Sequence, residues 1–451
     1  MAVIVGLMRF LKSRLAWLLI FAFAAFWLLM RLQVEWLWFA QFDLQSMLLR
    51  RWLWQLGGLL ISLFAIAACY FWQRHWINPK NHQDINEPFM RLIGWRYGLV
   101  LICCLVLVVG DLVLLSRLAW LASFKPFVLG YWWAEPFEGL WAVVIPLLTV
   151  LITTTLMLGS VKVGRLAQIA GSACFSISVA RGWGLWSLAL AIPPTGIREP
   201  LLGADVSFGL GRYPALSVGL TLLLLQLVLT VSTSFFIQLS KPVTLSDWLY
   251  PGLTSKQCNL LRPIISLILL ILAAINWLSR HQLLWTENGT FAGAGWLDVH
   301  LIIPLRNCSS VGLLLLALLL IPTSGIYRLR LWRVAVATFA IISALLEILV
   351  APVVQWMVVK PRELEMEKPY LINGINATRR AFQLDSITTT QINPQPYLTL
   401  SDLEEGASTL RNIRLWDSQP LLATNRQLQQ LRSYSVNGSS EEMRQQMLDD
   451  V

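Results

Sequence analysis

Two short polar stretches interrupt otherwise apolar sequence. Asp205 and Arg212 stand in DVSFGLGRYP, and Asp298 and His300 stand in GAGWLDVH. A carboxylate near an imidazole suits general acid–base work, in which one group takes a proton and the other gives it. Arg379 and Arg380, on a helical stretch further along, could line the same site. The competing reading is docking, in which the polar loops hold the C-terminal segment in place. Docking is favoured, because no Walker sequence, GxSxG or HExxH occurs anywhere in the chain. GLG and GAG are too short to act as phosphate loops. No residue is assigned a catalytic or cofactor-binding role.

Asp111, in VVGDLVLL, is the other chemically suggestive residue. A carboxylate at the centre of a bilayer costs about 2.5–3.5 kcal/mol, and such groups mark ion or proton paths. The plain alternative puts Asp111 near the outer end of its span, in reach of water or an arginine. Glu347, close to the end of the last apolar run, poses the same choice. Arg165, Arg181, Arg198 and Arg212 suit anionic headgroups or phosphates, against the plainer reading of snorkelling and topology setting. The histidines (His75, His82, His281, His300) and cysteines (Cys69, Cys103, Cys104, Cys174, Cys258, Cys308) lack metal-ligand spacing, so no metal site or cofactor is expected.

These residues must be positioned by membrane-spanning helices. The 451 residues are 56% hydrophobic and 13% charged, about half the charge of a soluble domain. Mean hydropathy is +0.62. The net charge of +10 carries no clustered basic face, so nucleic acid is excluded as a partner and the bilayer is the first one. Spans of about 20 residues are expected at roughly 15–34, 53–72, 97–116, 140–159, 215–237, 263–279, 305–323 and 334–354. A weaker ninth, 166–192, holds Arg181, Gly182 and Gly184 and runs into the pair Pro193–Pro194, and reads as a broken span, re-entrant segment or interfacial helix. The fold class is all-α: a polytopic bundle of about seven to nine spans.

Arg9, Lys12 and Arg14 place the N-terminus in the cytoplasm, as does the basic loop 73–96 for its own position. The first helix is expected to stay uncleaved, because Met30–Arg31 is no signal-peptidase site. Arg328, Arg330 and Arg333 hold the last loop inside, so residues 355–451 are expected outside the cytoplasm. That requires an odd number of spans, and nine is preferred. Tryptophans near span ends (Trp36, Trp38, Trp72, Trp76, Trp132, Trp133) suit the headgroup boundary or packing within the bundle.

Composition changes near Gln355, which divides the chain into a bundle (1–354) and a soluble segment (355–451). Within the segment, Asn373–Leu384 has helical spacing. Ser401–Glu404 reads as a capping box, Ile413–Trp416 as a short strand and Asn425–Tyr434 as a helix. Its few large apolar groups make a marginal core.

The stretch VVKPRELEMEKPYLINGINATRRAFQLD (Val358–Asp385) resembles the signature of uncharacterised protein family 0182, large bacterial membrane proteins. DVSFGLGRYP, GAGWLDVH and WDSQPLLATNRQLQQLR (Trp416–Arg432) resemble further segments of that family in the same order. The resemblance implies a multi-spanning N-terminal region and an exported C-terminal region, and carries no function. Family members continue into a longer soluble region, whereas Ser435–Val451 no longer resembles them, so a truncated or frameshifted member is expected.

Three functions compete. The first is a non-enzymatic membrane protein of the cell envelope whose exported region binds an envelope or assembly partner. The second is a transporter or channel, which needs charged or broken helices at the midplane. The third is a membrane-embedded enzyme acting on lipid-linked substrates, which needs carboxylates or arginines converging at the outer face.

Overall fold

The computed structural model describes residues 14–77, 92–125, 129, 161–241, 244, 246–247, 249–285, 293–321, 327–392, 399–412 and 418–430. In lipid a chain can satisfy its backbone only as helices or closed barrels, and the described residues are overwhelmingly helical. The long elements are α1 (Arg14–Ala40), α2 (Gln45–Ile77), α3 (Trp95–Phe124), α4 (Val161–Arg181), α6 (Tyr213–Leu239), α7 (Ser255–Gln282), α8 (Ile303–Leu320) and α9 (Tyr327–Val354). Seven of the described helices are long and apolar enough to cross a membrane: α2, α3, α4, α6, α7, α8 and the run beginning in α9. The apolar α1 adds a further 27 residues of helix.

The weakest expected span proves central. Residues 166–192 form α4, a break at Gly182, and the short α5 (Trp183–Ala191). α4 packs against α2, α3 and α6. Close approach is possible because glycines stand at the contacts. A Cβ on Gly58 of α2 would stand 3.2 Å from the Val179 carbonyl oxygen of α4, and one on Gly171 of α4 would overlap Leu229 of α6. α4 runs parallel to α3. Gly164, near the start of α4, meets Ile237 at the end of α6, while Tyr97, near the start of α3, donates a 2.6 Å hydrogen bond to the Leu239 carbonyl. The expected span 140–159 lies outside the described residues, but its flanks stand at opposite ends of the bundle. A two-residue antiparallel ribbon, β1 (Leu92–Ile93) with β2 (Leu249–Tyr250), clips the α2–α3 connection to the α6–α7 connection.

A polar seam runs through this packing. Gln168 of α4 donates to Thr230 Oγ1 (3.2 Å) and accepts a short bond from Thr233 of α6. Gln226 of α6 donates to Ser172 of α4 (3.1 Å), and Ser62 of α2 donates to Ser176 of α4 (3.1 Å). Trp72 and Trp76 take the packing alternative: their indole N–H groups donate to the carbonyls of Leu260 and Gln257, and Trp76 is fully buried.

Two spans open in the same way. A π-helical turn precedes α6 (Phe208–Arg212) and another precedes α8 (Asp298–Ile302), and each helix has proline in its first turn. The sequences also align. Asp205–Val206 and Asp298–Val299 stand the same distance ahead of Ser217–Leu220 and Ser310–Leu313, both reading Ser-Val-Gly-Leu.

The change of character at Gln355 falls within a helical run. α9 passes through a π turn (Gln355–Val359) and a 3-10 turn (Lys360–Arg362) into α10 (Glu363–Ala381). The helix expected over Asn373–Leu384 thus begins ten residues earlier and stops at Ala381. The compact unit holding the spans reaches Ala381, and a second unit begins at Phe382. That second unit contains α11 (Leu400–Glu405), α12 (Ala407–Asn412) and α13 (Ser418–Gln430). Its capping box uses Thr399 and Asp402, two residues before the expected Ser401, because Thr399 Oγ1 accepts from the Asp402 N–H. α13 starts earlier than the helix expected from Asn425, and Ile413–Trp416 lies outside the described residues.

The α2–α4 contact gives a test. Gly58→Val pushes a side chain against backbone, and overpacking of this kind costs about 1–3 kcal/mol. Gly57→Val, with nothing within 4 Å of its Cβ, should be neutral. Thermal unfolding in detergent should separate the two variants; equal melting temperatures would place α2 and α4 further apart than described.

Candidate functional site

The GAGWLDVH stretch builds the most organised polar site among the described residues. Gly293 (φ 135°) turns the chain in a conformation that side chains disfavour. The Asp298 carboxylate then accepts from the Gly295 N–H at 2.9 Å, closing the loop at the mouth of the π turn. Trp296 stacks on His300, with ring centroids 4.6 Å apart and 11° between planes. His300 Nδ1 lies 3.1 Å from the Trp296 carbonyl.

Glu367, which sequence reasoning missed, completes the site from α10. Its side chain is buried, and its Oε2 accepts from the Trp296 N–H at 3.0 Å. Tyr370, one turn on, brings its hydroxyl 3.4 Å from His300 Nδ1. A Cβ at Gly295 would stand 2.9 Å from both Glu367 carboxylate oxygens, so only glycine lets the carboxylate sit there. Nothing local to Glu367 signals this. Only the family-like segment around it marks the region.

The expected residues are distributed as follows. Asp298 and His300 share this loop. Asp205 organises a different one: it accepts from the N–H and hydroxyl of Thr195, from Gly196 N–H and from Ser207 N–H, all within 3.2 Å. Those donors hold its carboxyl far below the usual carboxylate range. Arg212 ends the following π turn and is exposed. Arg379 and Arg380 are exposed near the end of α10, three turns beyond Glu367. The two loops do share one end of the bundle. Phe208 and Tyr213 pack on His281 of α7 (4.9 and 6.1 Å), and Tyr213 on Trp285, just before the second loop. Among the described residues no group of three or more His, Cys, Asp or Glu could hold a metal.

Two charged features lie within the spans. Asp111 is 6% exposed and turned into the bundle, and its Oδ2 has no hydrogen-bond partner among the described residues. Glu347 of α9 pairs with Arg306 of α8 at 2.8 and 2.9 Å. Arg306 also donates to the Ser279 carbonyl (2.7 Å), and Asn276 of α7 reaches Ser309 and Ser310. A cavity of about 520 Å³ adjoins this cluster, lined by Asn276, Ser279, Ser309 and apolar residues of α7, α8 and α9. Arg306 escaped sequence reasoning because it lies only eight residues past Asp298 and reads as flanking charge.

Three outcomes follow from these contacts. Glu367→Ala strands the Trp296 N–H, a loss of about 1–3 kcal/mol, and Gly295→Ala should mimic it; proteolysis between Gln355 and Ala381 should quicken in both. Arg306→Met leaves a half-buried carboxylate without its partner and should destabilise the bundle, whereas Arg306→Met with Glu347→Leu should recover most of the loss; a double variant as unstable as the single would deny the pairing. Asp205, with its lowered pKa, stabilises its loop fully above the ordinary carboxylate range. That contribution fades as pH falls through the folded pKa. Hydrogen exchange at Gly196 and Ser207 should therefore accelerate in Asp205→Ala at neutral pH and match the parent chain in strong acid.

Comparison with known proteins follows the same lines. The profile of the uncharacterised protein family UPF0182 matches residues 13–438. A UPF0182 protein of Prochlorococcus marinus strain MIT 9303 is 65% identical over 95% of this chain and 45% of its own length. One from Synechococcus sp. strain CC9311 is 50% identical over 90% of this chain and 43% of its own. A more distant one from Synechococcus elongatus is 31% identical over 90% of this chain and 44% of its own. The chain thus spans less than half the length of these relatives. No solved structure matches. With four family-like segments in order and a profile match across nearly its whole length, this chain belongs to the uncharacterised protein family UPF0182.

Proposed function

We propose that the chain is a non-enzymatic membrane anchor whose exported region holds an envelope or assembly partner. The observation that carries this reading is α10. The helical run from Val334 to Ala381 is 48 residues, about 70 Å at 1.5 Å per residue, against a hydrocarbon core of about 30 Å. α10 therefore projects beyond the membrane, fastened at its base by Glu367. Leu364, Ile372 and Ile375 fall on one helical face and are 79%, 47% and 53% exposed. An apolar stripe on a fixed helix suits a protein contact. Arg328, Arg330 and Arg333 at the start of α9 favour the cytoplasm, which puts α10 outside.

A photoreactive residue at Ile375 in cells should form a protein adduct, and Glu367→Ala should weaken it. Single cysteines at Thr399 and Arg330 should label from outside only at position 399. Adducts to lipid alone, or labelling at position 330 only, would overturn the proposal.

The Arg306–Glu347 pair and its cavity favour a second reading, a transporter or channel, since charges among apolar helices often line ion paths. Ion flux in proteoliposomes that Glu347→Gln abolishes would support it, and the absence of flux in the parent chain would end it. The enzymatic reading has the least support, because the Asp205 carboxylate is tied up within its own loop.

A further inference from the structure

At the bundle end opposite the two polar loops, α2 and α4 enclose a cavity of about 280 Å³ lined by Tyr70, Gln73, Arg74, Ile77, Arg165, Gln168, Ile169 and Ile237. We propose that this cavity binds the phosphate of an anionic phospholipid headgroup, held between Arg74 and Arg165 over the Gln73 amide.

The charge balance comes first. Arg74 and Arg165 come from different helices, both are exposed, and neither has an acidic partner among the described residues. Two arginines lining one cavity, with no counter-charge among the described residues, suit an anion, and the planar fork of arginine matches phosphate oxygens. The floor of the cavity is polar as well. Gln73 and Gln168 are 6% and 7% exposed. Gln168 is firmly held by Thr230 and Thr233. The Gln73 amide nitrogen has only long contacts, 3.4 Å to Gln168 and 3.5 Å to Thr233. Its N–H groups therefore have capacity for a better acceptor.

The membrane geometry selects a lipid over a free ion. Arg74 lies in the last turn of α2 and Arg165 in the first turns of α4, so both sit at the bilayer boundary. One turn deeper on each helix stands a large group facing outward: Tyr70 beneath Arg74 and Ile169 beneath Arg165. Charge above and apolar surface below, on two adjacent helices, is the profile of a phospholipid with its phosphate at the arginines and its chains along Tyr70 and Ile169.

Native mass spectrometry of the full chain, purified after exchange into vesicles, tests this. Phosphatidylglycerol should be retained and phosphatidylcholine should not. Arg74→Gln with Arg165→Gln should lower retention at least about tenfold, the loss of one charge-assisted hydrogen bond. Arg74→Lys with Arg165→Lys should keep part of it, which separates charge loss from misfolding. Arg50→Gln, on the same helix at its other end, should change nothing. Equal retention of both lipids, or undiminished retention in the double glutamine variant, would overturn the site. Retention of inorganic phosphate with no preference for the lipid would overturn the lipid assignment.

Discussion

Gln168 is the residue on which the bundle turns. In hydrocarbon no water can serve a polar side chain, so each amide and hydroxyl must find a partner inside the protein. Gln168 of α4 meets that demand through Thr230 and Thr233 of α6, with Gln73 of α2 beside it. Ser172–Gln226 and Ser176–Ser62 continue the line along α4. Leucine packing alone would let three apolar helices slide or rotate, because lipid tails are as apolar as leucine. The seam removes that freedom by fixing which faces meet and at what height. Gly58 and Gly171 then allow the backbones to approach closely enough for short side chains to reach.

The bundle therefore has two unlike ends. One end carries the β1–β2 clip, the Tyr97–Leu239 bond and the basic cavity. The other carries the loops ordered by Asp205 and Asp298 and the base of α10. Both loops perform the same task. Each uses an aspartate to accept backbone N–H, three groups at Asp205 and Gly295 at Asp298, where a π turn leads into a proline-started span. The widened turn lets a polar entry loop join a membrane helix without leaving backbone groups unserved. The matched spacing to the Ser-Val-Gly-Leu segments suggests one solution used twice in the chain.

Much of this was legible in the sequence, because apolar runs of sufficient length have one fate in lipid. Spans near 53–72, 97–116, 215–237, 263–279 and 305–323 became longer helices around the same centres. The polar loops stood out because Asp205 and Asp298 interrupt apolar surroundings. α4 read poorly for a physical reason: a helix packed on three neighbours can carry Gln, Ser and Gly that a lipid-facing helix cannot. It is the least apolar of the seven and among the more buried, so hydropathy undervalues it. Glu367 and Arg306 were hidden because their partners, Trp296 and Glu347, are distant in sequence and only the fold brings each pair together. Asp205 stood out by its residue type and apolar setting alone. Its short acidic side chain serves its own loop, and no spacing rule separates that from proton chemistry.

The junction between α9 and α10 has a mechanical meaning. From Gln355 to Arg362 the chain leaves α-helical geometry, widening into a π turn and then tightening into a 3-10 turn, with Pro352 and Pro361 at its borders. Such a stretch is the natural elbow of a long rod, since its hydrogen-bond ladder is already irregular. Glu367 engages the Trp296 loop just past the elbow. A joint caught on its far side, by Glu367 at Trp296 and Tyr370 at His300, behaves as a latch. While the catch holds, α10 keeps one bearing on the bundle. Once it opens, α10 is free to take another bearing at the elbow.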